Sequence, residues 1–282
     1  MEILDTQKFT SDAPDISILI PAFNQSMLLA QSLPVLVSRL KSATFSFEIL
    51  ISDNASSDDS WKICSHWSTN TKETRAFLQR TNLGFLGNIR FLVNNSTGKF
   101  VIFLGCGDLI NVSLLNRVVP LLIEVHPHSL VSGVAAHLSA ESRHEPPTQS
   151  PINTTRLRSL SKNAPYQEAI SGNIFANRNG ELSHQLARDF HTGDIWPHIE
   201  IQIAAYLHGE IILRTESNLV SMMQDSESWY NDVALTRKIF RRHLMLLLPH
   251  SLKSLGFLIK TLSLLTVGLW NLFRAGRTTH QE

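Results

Sequence analysis

The sequence predicts an α/β fold: a central, mostly parallel sheet of Rossmann-like type, flanked by helices, with a helical extension at the C-terminal end. Three observations predict it. Short apolar runs alternate with segments of helical periodicity between residues 16 and 125. One of those runs, Lys99-Phe100-Val101-Ile102-Phe103-Leu104-Gly105-Cys106-Gly107-Asp108, is apolar enough to be covered on both faces and delivers one carboxylate into a glycine-flanked loop. From Arg237 onward the composition turns Leu-rich and basic.

The elements follow in order. Ile16 to Ile20 reads as a first strand, ended by Pro21-Ala22-Phe23-Asn24, because proline is excluded from central strands. Leu28, Leu29, Leu33, Leu36, Val37 and Leu40 give Ser26 to Leu40 an apolar helical face, with Pro34 predicting a kink or restart. Phe47 to Ser52 is a second strand. Ser56 and Asp59 have capping-box spacing ahead of a helix from about Asp58 to Trp67. Phe77 to Arg80 is a shorter strand, residues 82–88 a loop, and Asn88 to Asn95 a helix. After the strand that ends at Asp108 comes a helix from Ser113 to Val125, then a strand from Leu130 to Leu138. Ser139 to Pro165 is polar, carries four prolines and reads as a long surface segment or a lid. Ile170 to Phe175 and Glu210 to Arg214 are further strands, with helices predicted over Glu181 to Phe190 and Ile195 to Leu207.

Composition narrows the class. The 282 residues are 43% hydrophobic and 17% charged, enough for a sizeable core. Two cysteines, Cys64 and Cys106, make neither a disulfide framework nor a zinc motif, which points to a reducing compartment. No secretion signal is predicted over Met1 to Thr10. The net charge of +1 hides an asymmetry: residues 237–282 carry eight Lys or Arg and one acid, against 17 basic and 23 acidic groups in residues 1–236. The predicted division is therefore a body over 1–236 and a helical extension over 237–282. Thr261 to Phe273 is too short to span a bilayer, which takes ~20 apolar residues, so interfacial helices on an anionic membrane surface are expected. A helical subdomain packed on the body is the alternative. A P-loop is absent, no Gly-x-Gly-x-x-Gly follows the first strand, and aromatic and basic residues do not interleave as a nucleic-acid platform requires.

In open α/β sheets ligands bind outside the carboxyl ends of the strands, so Asp53 and Asp108 are the first candidates. Each has a plainer alternative: Asp108 as a helix N-cap, Asp53 as a turn cap bonding its own backbone. Cys106 reads as a small buried residue.

Ile16–Asn24, Ser52-Asp53-Asn54-Ala55-Ser56, Asn82-Leu83-Gly84 with Asn88, and Gly98–Asp108 form an ordered set. Together they resemble the nucleotide-sugar domain of family-2 inverting glycosyltransferases, which have the GT-A fold. Ser171-Gly172-Asn173-Ile174-Phe175 and Trp196-Pro197-His198 look like the O-antigen, abequosyltransferase-like subgroup. The resemblance implies that Pro21, Ala22, Phe23 and Asn24 line a nucleobase pocket. Asp53 would hold the base or ribose, and Arg80 and Asn88 would lie near the nucleotide. Gly107 and Asp108 would meet the sugar diphosphate, with Asp108 as ligand to a divalent metal, Mg²⁺ or Mn²⁺. The chain departs from the family where Cys106-Gly107-Asp108 replaces a run of acids, which weakens the metal site or leaves cations such as Arg178 and Arg214 to neutralise the leaving group. It departs again at Pro197-His198, where family members often carry Glu-Asp. His198 then stands in the place of the general base, with Asp194 and Glu200 nearby, or simply bonds a buried carbonyl. His184 and His191 read as surface groups, His126-Pro127-His128 as a turn, and Trp229 and Tyr230 as sugar-stacking or packing residues.

The expected protein is a glycosyltransferase working at the cytoplasmic face of the membrane. It would move a sugar from a nucleoside-diphosphate sugar to a saccharide or lipid-linked acceptor in surface polysaccharide synthesis. The rival expectation is a nucleotide-sugar-binding or scaffold protein with an eroded acid motif.

Overall fold

The computed structural model describes residues 4–5, 13–127, 129–138, 152–156, 171–177 and 211–223. Its strands are β1 (Leu4–Asp5), β2 (Ile16–Ala22), β3 (Phe47–Asp53), β4 (Thr74–Leu78), β5 (Phe100–Phe103), β6 (Leu109–Ile110), β7 (Ser129–Leu138), β8 (Ile152–Arg156), β9 (Asn173–Ala176) and β10 (Ile211–Met223). Its helices are α1 (Ser26–Leu40), α2 (Ser60–Asn70), α3 (Gly84–Asn95) and α4 (Val112–Val125). The strands form one sheet in the order β1-β4-β3-β2-β5-β9-β7-β10-β6, with β8 also paired to β10. β4, β3, β2 and β5 are mutually parallel, as the crossover pattern predicts, while β9 runs antiparallel to both β5 and β7. This is the expected α/β, mostly parallel architecture of GT-A type.

Alternation along the central strands supplies two cores. Ile16, Ile18, Ile20, Ile49, Ile51 and Ile102 face α1, α2 and α4, where Leu29, Leu33, Cys64, Leu115 and Val119 meet them. Leu19, Leu50, Phe77, Val101 and Phe103 face the opposite way, against Leu86, Ile89 and Leu92 of α3. Nearly all of these side chains are completely buried, each adding about 1.5–3 kcal/mol relative to exposure.

Several boundaries differ from the sequence expectation for identifiable reasons. Pro21 does not end β2, which pairs with β3 as far as Ala22↔Asp53. On its other side β5 pairs only with Ile16 to Leu19. Pro21 therefore sits where β2 has become an edge, and its missing N–H leaves no ladder bond unmade. Helix α1 runs unbroken through Pro34. Pro34 and Ala30, whose carbonyl loses its helical partner, are both exposed, so that carbonyl is not left buried and unpaired.

The capping box does not form. Asp59 is the N-cap of α2 but makes no side-chain cap bond, and Ser56 is drawn to Asp53 instead. Helix α3 begins at Gly84, so the stretch read as a loop over residues 82–88 is helical from its third residue. β4 starts three residues and ends two residues earlier than expected, and β8 lies within the segment read as polar surface. The last strand is much longer than its apolar start, running from Ile211 to Met223.

Candidate functional site

The order of the central strands dictates where a site can form. From β2 the chain steps outward to β3 and β4, then returns across β2 to place β5 on its other flank. The connections leave β2 and β5 in opposite directions, and at such a switch point a ligand crevice is expected outside the carboxyl ends of the strands. Residues 22–24 leave one wall and residues 104–108 the other.

The β5 loop is held at nearly every residue. Leu104 N–H donates to the Leu19 carbonyl at 2.9 Å, and Asp108 N–H closes a turn on the Gly105 carbonyl at 3.0 Å. Gly105 N–H donates to Ser171 Oγ at 2.9 Å. The Cys106 thiol donates to the Pro21 carbonyl at 3.3 Å, and the Cys106 carbonyl accepts from Ser32 Oγ. A Cβ at position 107 would lie 3.2 Å from Leu28, so Gly107 packs against α1. Both positions where acids were expected thus face protein. Burial, reinforced by the charges of Asp108 and Asp53, pushes the Cys106 thiol up to about 12, so it is no thiolate ligand.

Asp108 stands half-buried at the mouth of this loop. It is not the cap of the helix that follows: Asn111 caps α4, its side chain accepting from Leu114 N–H at 2.9 Å. Asp108 Oδ2 instead accepts from Ser171 Oγ, which leaves Oδ1 without a side-chain partner among the described residues. Burial raises the Asp108 pKa, and the bonds from Ser171 and the Gly105 backbone offset only part of that.

Across the crevice, Asp53 closes β3 and is fully buried. Its Oδ1 accepts from Ser56 N–H at 3.1 Å and from Ser56 Oγ, the turn-capping arrangement that Asp residues favour. Its Oδ2 is buried without a hydrogen-bond partner. Desolvation raises the Asp53 pKa despite the Ser56 bonds. Turn capping uses Oδ1 alone and leaves Oδ2 without a partner, so the capping role does not exclude ligand recognition.

The remaining candidates sit around this pair. Asn24 takes a left-handed conformation, φ 51°, and its Oδ1 accepts from Ser57 N–H at 2.8 Å. Phe23 is exposed beside it, while Ala22 is buried and Pro21 half-buried. Asn88, buried on α3, donates to the Ser52 carbonyl at 3.1 Å, and its Oδ1 has no partner. Arg80 is exposed two residues beyond β4. Sequence reasoning gave no role to Asn54, although its side chain joins two loops. It accepts from Leu83 N–H at 2.8 Å and donates to Asn82 Oδ1 at 2.8 Å. Ser171 was also given no role, because its partner lies 63 residues away and no local spacing records that contact. His126, in left-handed conformation, ends α4 as the expected turn. His198, Asp194, Glu200, Arg178, His184, His191, Trp229 and Tyr230 lie outside the described residues, as does the side chain of Arg214.

Comparison with known proteins now bears on this geometry. The model of the family described as Glycosyl transferase family 2 matches residues 17–180. The chain belongs to glycosyl transferase family 2. No curated protein matches it in sequence. This family-2 chain is similar in structure to Staphylococcus aureus TarS 1–349, at 17% identity and TM-score 0.57, over 82% of this chain and 65% of that one. The complex of TarS 1–349 with UDP-GlcNAc is similar at 16% identity and TM-score 0.56, over 82% and 66%. The mannosyltransferase PcManGT of Pyrobaculum calidifontis, solved with GDP-Man and Mn²⁺, matches at 13% identity and TM-score 0.64, over 94% of this chain and 74% of that one. The family-2 chain thus spans about two thirds of the TarS 1–349 length. These likenesses establish the GT-A fold.

The donor set of the β5 loop decides whether a divalent metal fits. Among the described residues no three His, Cys, Asp or Glu side chains are grouped to hold an ion. Among the described residues, Asp108 Oδ1 at the end of β5 offers a hard oxygen ligand. Mg²⁺ is commonly held by one or two carboxylates completed by substrate phosphates and water. The residues therefore fit an ion that brings a diphosphate with it.

Proposed function

We propose that this protein transfers a sugar from a nucleoside-diphosphate sugar to a saccharide acceptor, carried on a lipid, in surface polysaccharide synthesis of the O-antigen kind. The observation that carries the reading is Asp108. It stands at the carboxyl end of β5, beside the crevice, relieved of capping duty by Asn111. In this reading Pro21 to Asn24 and the unpartnered Oδ2 of Asp53 receive the nucleoside, and Arg80 and Asn88 flank it. Asp108, beside Gly107, would hold Mg²⁺ or Mn²⁺, which when bound neutralises charge on the diphosphate.

The reaction is a single displacement with inversion. The base, His198 or its neighbour Asp194, takes the proton of the acceptor hydroxyl. That oxygen forms a bond to the anomeric carbon as the bond from that carbon to the phosphate oxygen breaks, and its electron pair leaves on the nucleoside diphosphate. The β5 loop, hydrogen-bonded at Leu104, Gly105, Cys106 and Asp108, supplies an acid that needs little reorganisation when the donor arrives. The basic extension over residues 237–282 docks the body at the inner face of an anionic membrane, next to the lipid-linked acceptor. Among the described residues no helix is long and apolar enough to cross a membrane.

The test is a panel of nucleoside-diphosphate sugars with lipid-linked saccharide acceptors, with Mn²⁺ or with EDTA, scored by binding and by release of the nucleoside diphosphate. Binding and turnover by the wild type, lost in Asp108→Ala and slowed in His198→Ala, are expected. Binding without turnover on any acceptor would instead establish the second reading, a nucleotide-sugar-binding protein, which the single remaining carboxylate favours. No binding to any donor rejects both.

A further inference from the structure

Ser171 stands just before β9, at a turn where Gly172 adopts φ 86°, and is buried. β9 pairs with β5 in fixed register, Ile102 opposite Ile174, so Ser171 is delivered to the β5 loop by the sheet itself. A serine hydroxyl has one proton to give and can accept two. Gly105 N–H fills an acceptor site at 2.9 Å, and the proton goes to Asp108 Oδ2. The result is a one-way relay, Gly105 N–H to Ser171 hydroxyl to Asp108 carboxylate. The geometry is tight: a Cβ on residue 105 would lie 2.7 Å from Asp108 Oδ2 and 3.6 Å from Ser171 Oγ.

Cys106 and Gly107 both face protein, so all recognition by this loop falls on one carboxylate, and the orientation of that carboxylate becomes decisive. We infer that Ser171 is a positioning residue: by holding Oδ2 it presents Oδ1 of Asp108 to the cation of a metal–nucleoside diphosphate. This rests on the donor-site reading above. It adds that specificity for the metal-bound over the metal-free nucleotide is set from β9, outside the acid motif.

The experiment is a calorimetric titration of wild type, Ser171→Ala and Gly105→Ala with UDP and with GDP, each in Mn²⁺ and in EDTA. Donor KM and kcat are measured in parallel. Removing a hydrogen bond to a charged group is expected to cost about tenfold in affinity. Ser171→Ala should lose that factor in Mn²⁺ alone, with affinity in EDTA unchanged. KM should rise in proportion while kcat changes little. Gly105→Ala, which displaces the carboxylate without altering Ser171, should give the same pattern. Equal losses in Mn²⁺ and EDTA mean a merely structural role and overturn the inference, as does an undiminished Mn²⁺-dependent gain in Ser171→Ala. Wild type that binds nucleotide equally with and without metal overturns this inference alone. Wild type that binds neither nucleotide overturns the donor-site reading and this inference with it.

Discussion

Cys106 donates its thiol proton to the carbonyl of Pro21 across 3.3 Å, closing β2 against the β5 loop just where the backbone ladder between them has stopped. The cysteine is therefore a structural replacement for an acid and not an alternative ligand. An aspartate in its place would bury a carboxylate against a carbonyl oxygen. Cys106→Asp should lose about 3 kcal/mol of stability in urea melts, the scale of an unsatisfied buried polar or charged group. It should gain no affinity for Mn²⁺, and tighter Mn²⁺ binding at unchanged stability would refute the assignment. Both Cys106 and Cys64 are buried, with burial holding their thiols well above the ordinary range. Ellman's reagent at pH 8 should thus label neither until the protein is unfolded.

Asp53 caps its turn through Oδ1 alone, and Oδ2 is left for the role proposed for it. Asp53→Asn keeps an acceptor for Ser56 and removes a desolvated charge, so it should fold at least as well as wild type at neutral pH. Asp53→Ala strands the Ser56 donors and should cost about 1–3 kcal/mol. If the free Oδ2 receives the nucleoside, both variants lose donor affinity although only one loses stability. Calorimetry with denaturant melts distinguishes these outcomes, and full donor binding in the stable Asn variant would remove Asp53 from the site.

Asp108 gives a pH signature. Its pKa in the folded protein is raised, chiefly by burial. A carboxyl shifted upward contributes stability that is complete below its unfolded pKa, about 3.9, and is lost as pH rises through the folded value. Asp108→Asn should therefore melt higher than wild type at pH 7. The two should converge as pH falls towards 4. The same variant should lose at least about 100-fold in kcat/KM, as when one preorganised charge-stabilising group is removed. A variant no more stable at pH 7 than at pH 4, relative to wild type, contradicts the sign.

Far from the site, Ser17 Oγ donates to buried Glu48 at 2.5 Å and accepts from Gly98 N–H at 2.8 Å. A Cβ at Gly98 would come within 2.6 Å of the Ser17 backbone nitrogen. Backbone cannot retreat as a side-chain tip can. Gly98→Ala should therefore cost about 1–3 kcal/mol or more by overpacking, with donor affinity of the folded fraction unchanged. Wild-type stability in this variant would show that the amino-terminal end of β5 is looser than described.

The legible parts of the fold were those encoded by local pattern. β2, β3 and β5 announced themselves as apolar runs, and α1 and α4 as leucine and valine stripes. β8 is polar in sequence, Ile-Asn-Thr-Thr-Arg, and is a strand only because β10 pairs with it. Gly84 looks like a breaker, yet its N–H is satisfied by Asn82 Oδ1 at 2.8 Å and α3 starts there. In the site, the motif order pointed to Asp53 and Asp108. Sequence could not tell capping from recognition, because that choice turns on Asn111 taking the α4 cap and on Ser56 using only one oxygen of Asp53.

The extension supplies the last prediction. Its eight basic residues against one acid, set among leucines, should bind anionic lipid at about 1 kcal/mol for each Lys or Arg near the surface. In flotation assays the full chain should rise with vesicles of phosphatidylcholine and phosphatidylglycerol, and not with phosphatidylcholine alone. Raising salt to about 1 M, where the screening length falls to about 3 Å, should weaken that binding and leave a remainder from apolar insertion. A chain ending at residue 236 should stay in solution while still binding the nucleotide. If that shortened chain floats as well as the full one, the docking surface belongs to the body; if the full chain floats on neither vesicle, the extension packs on protein.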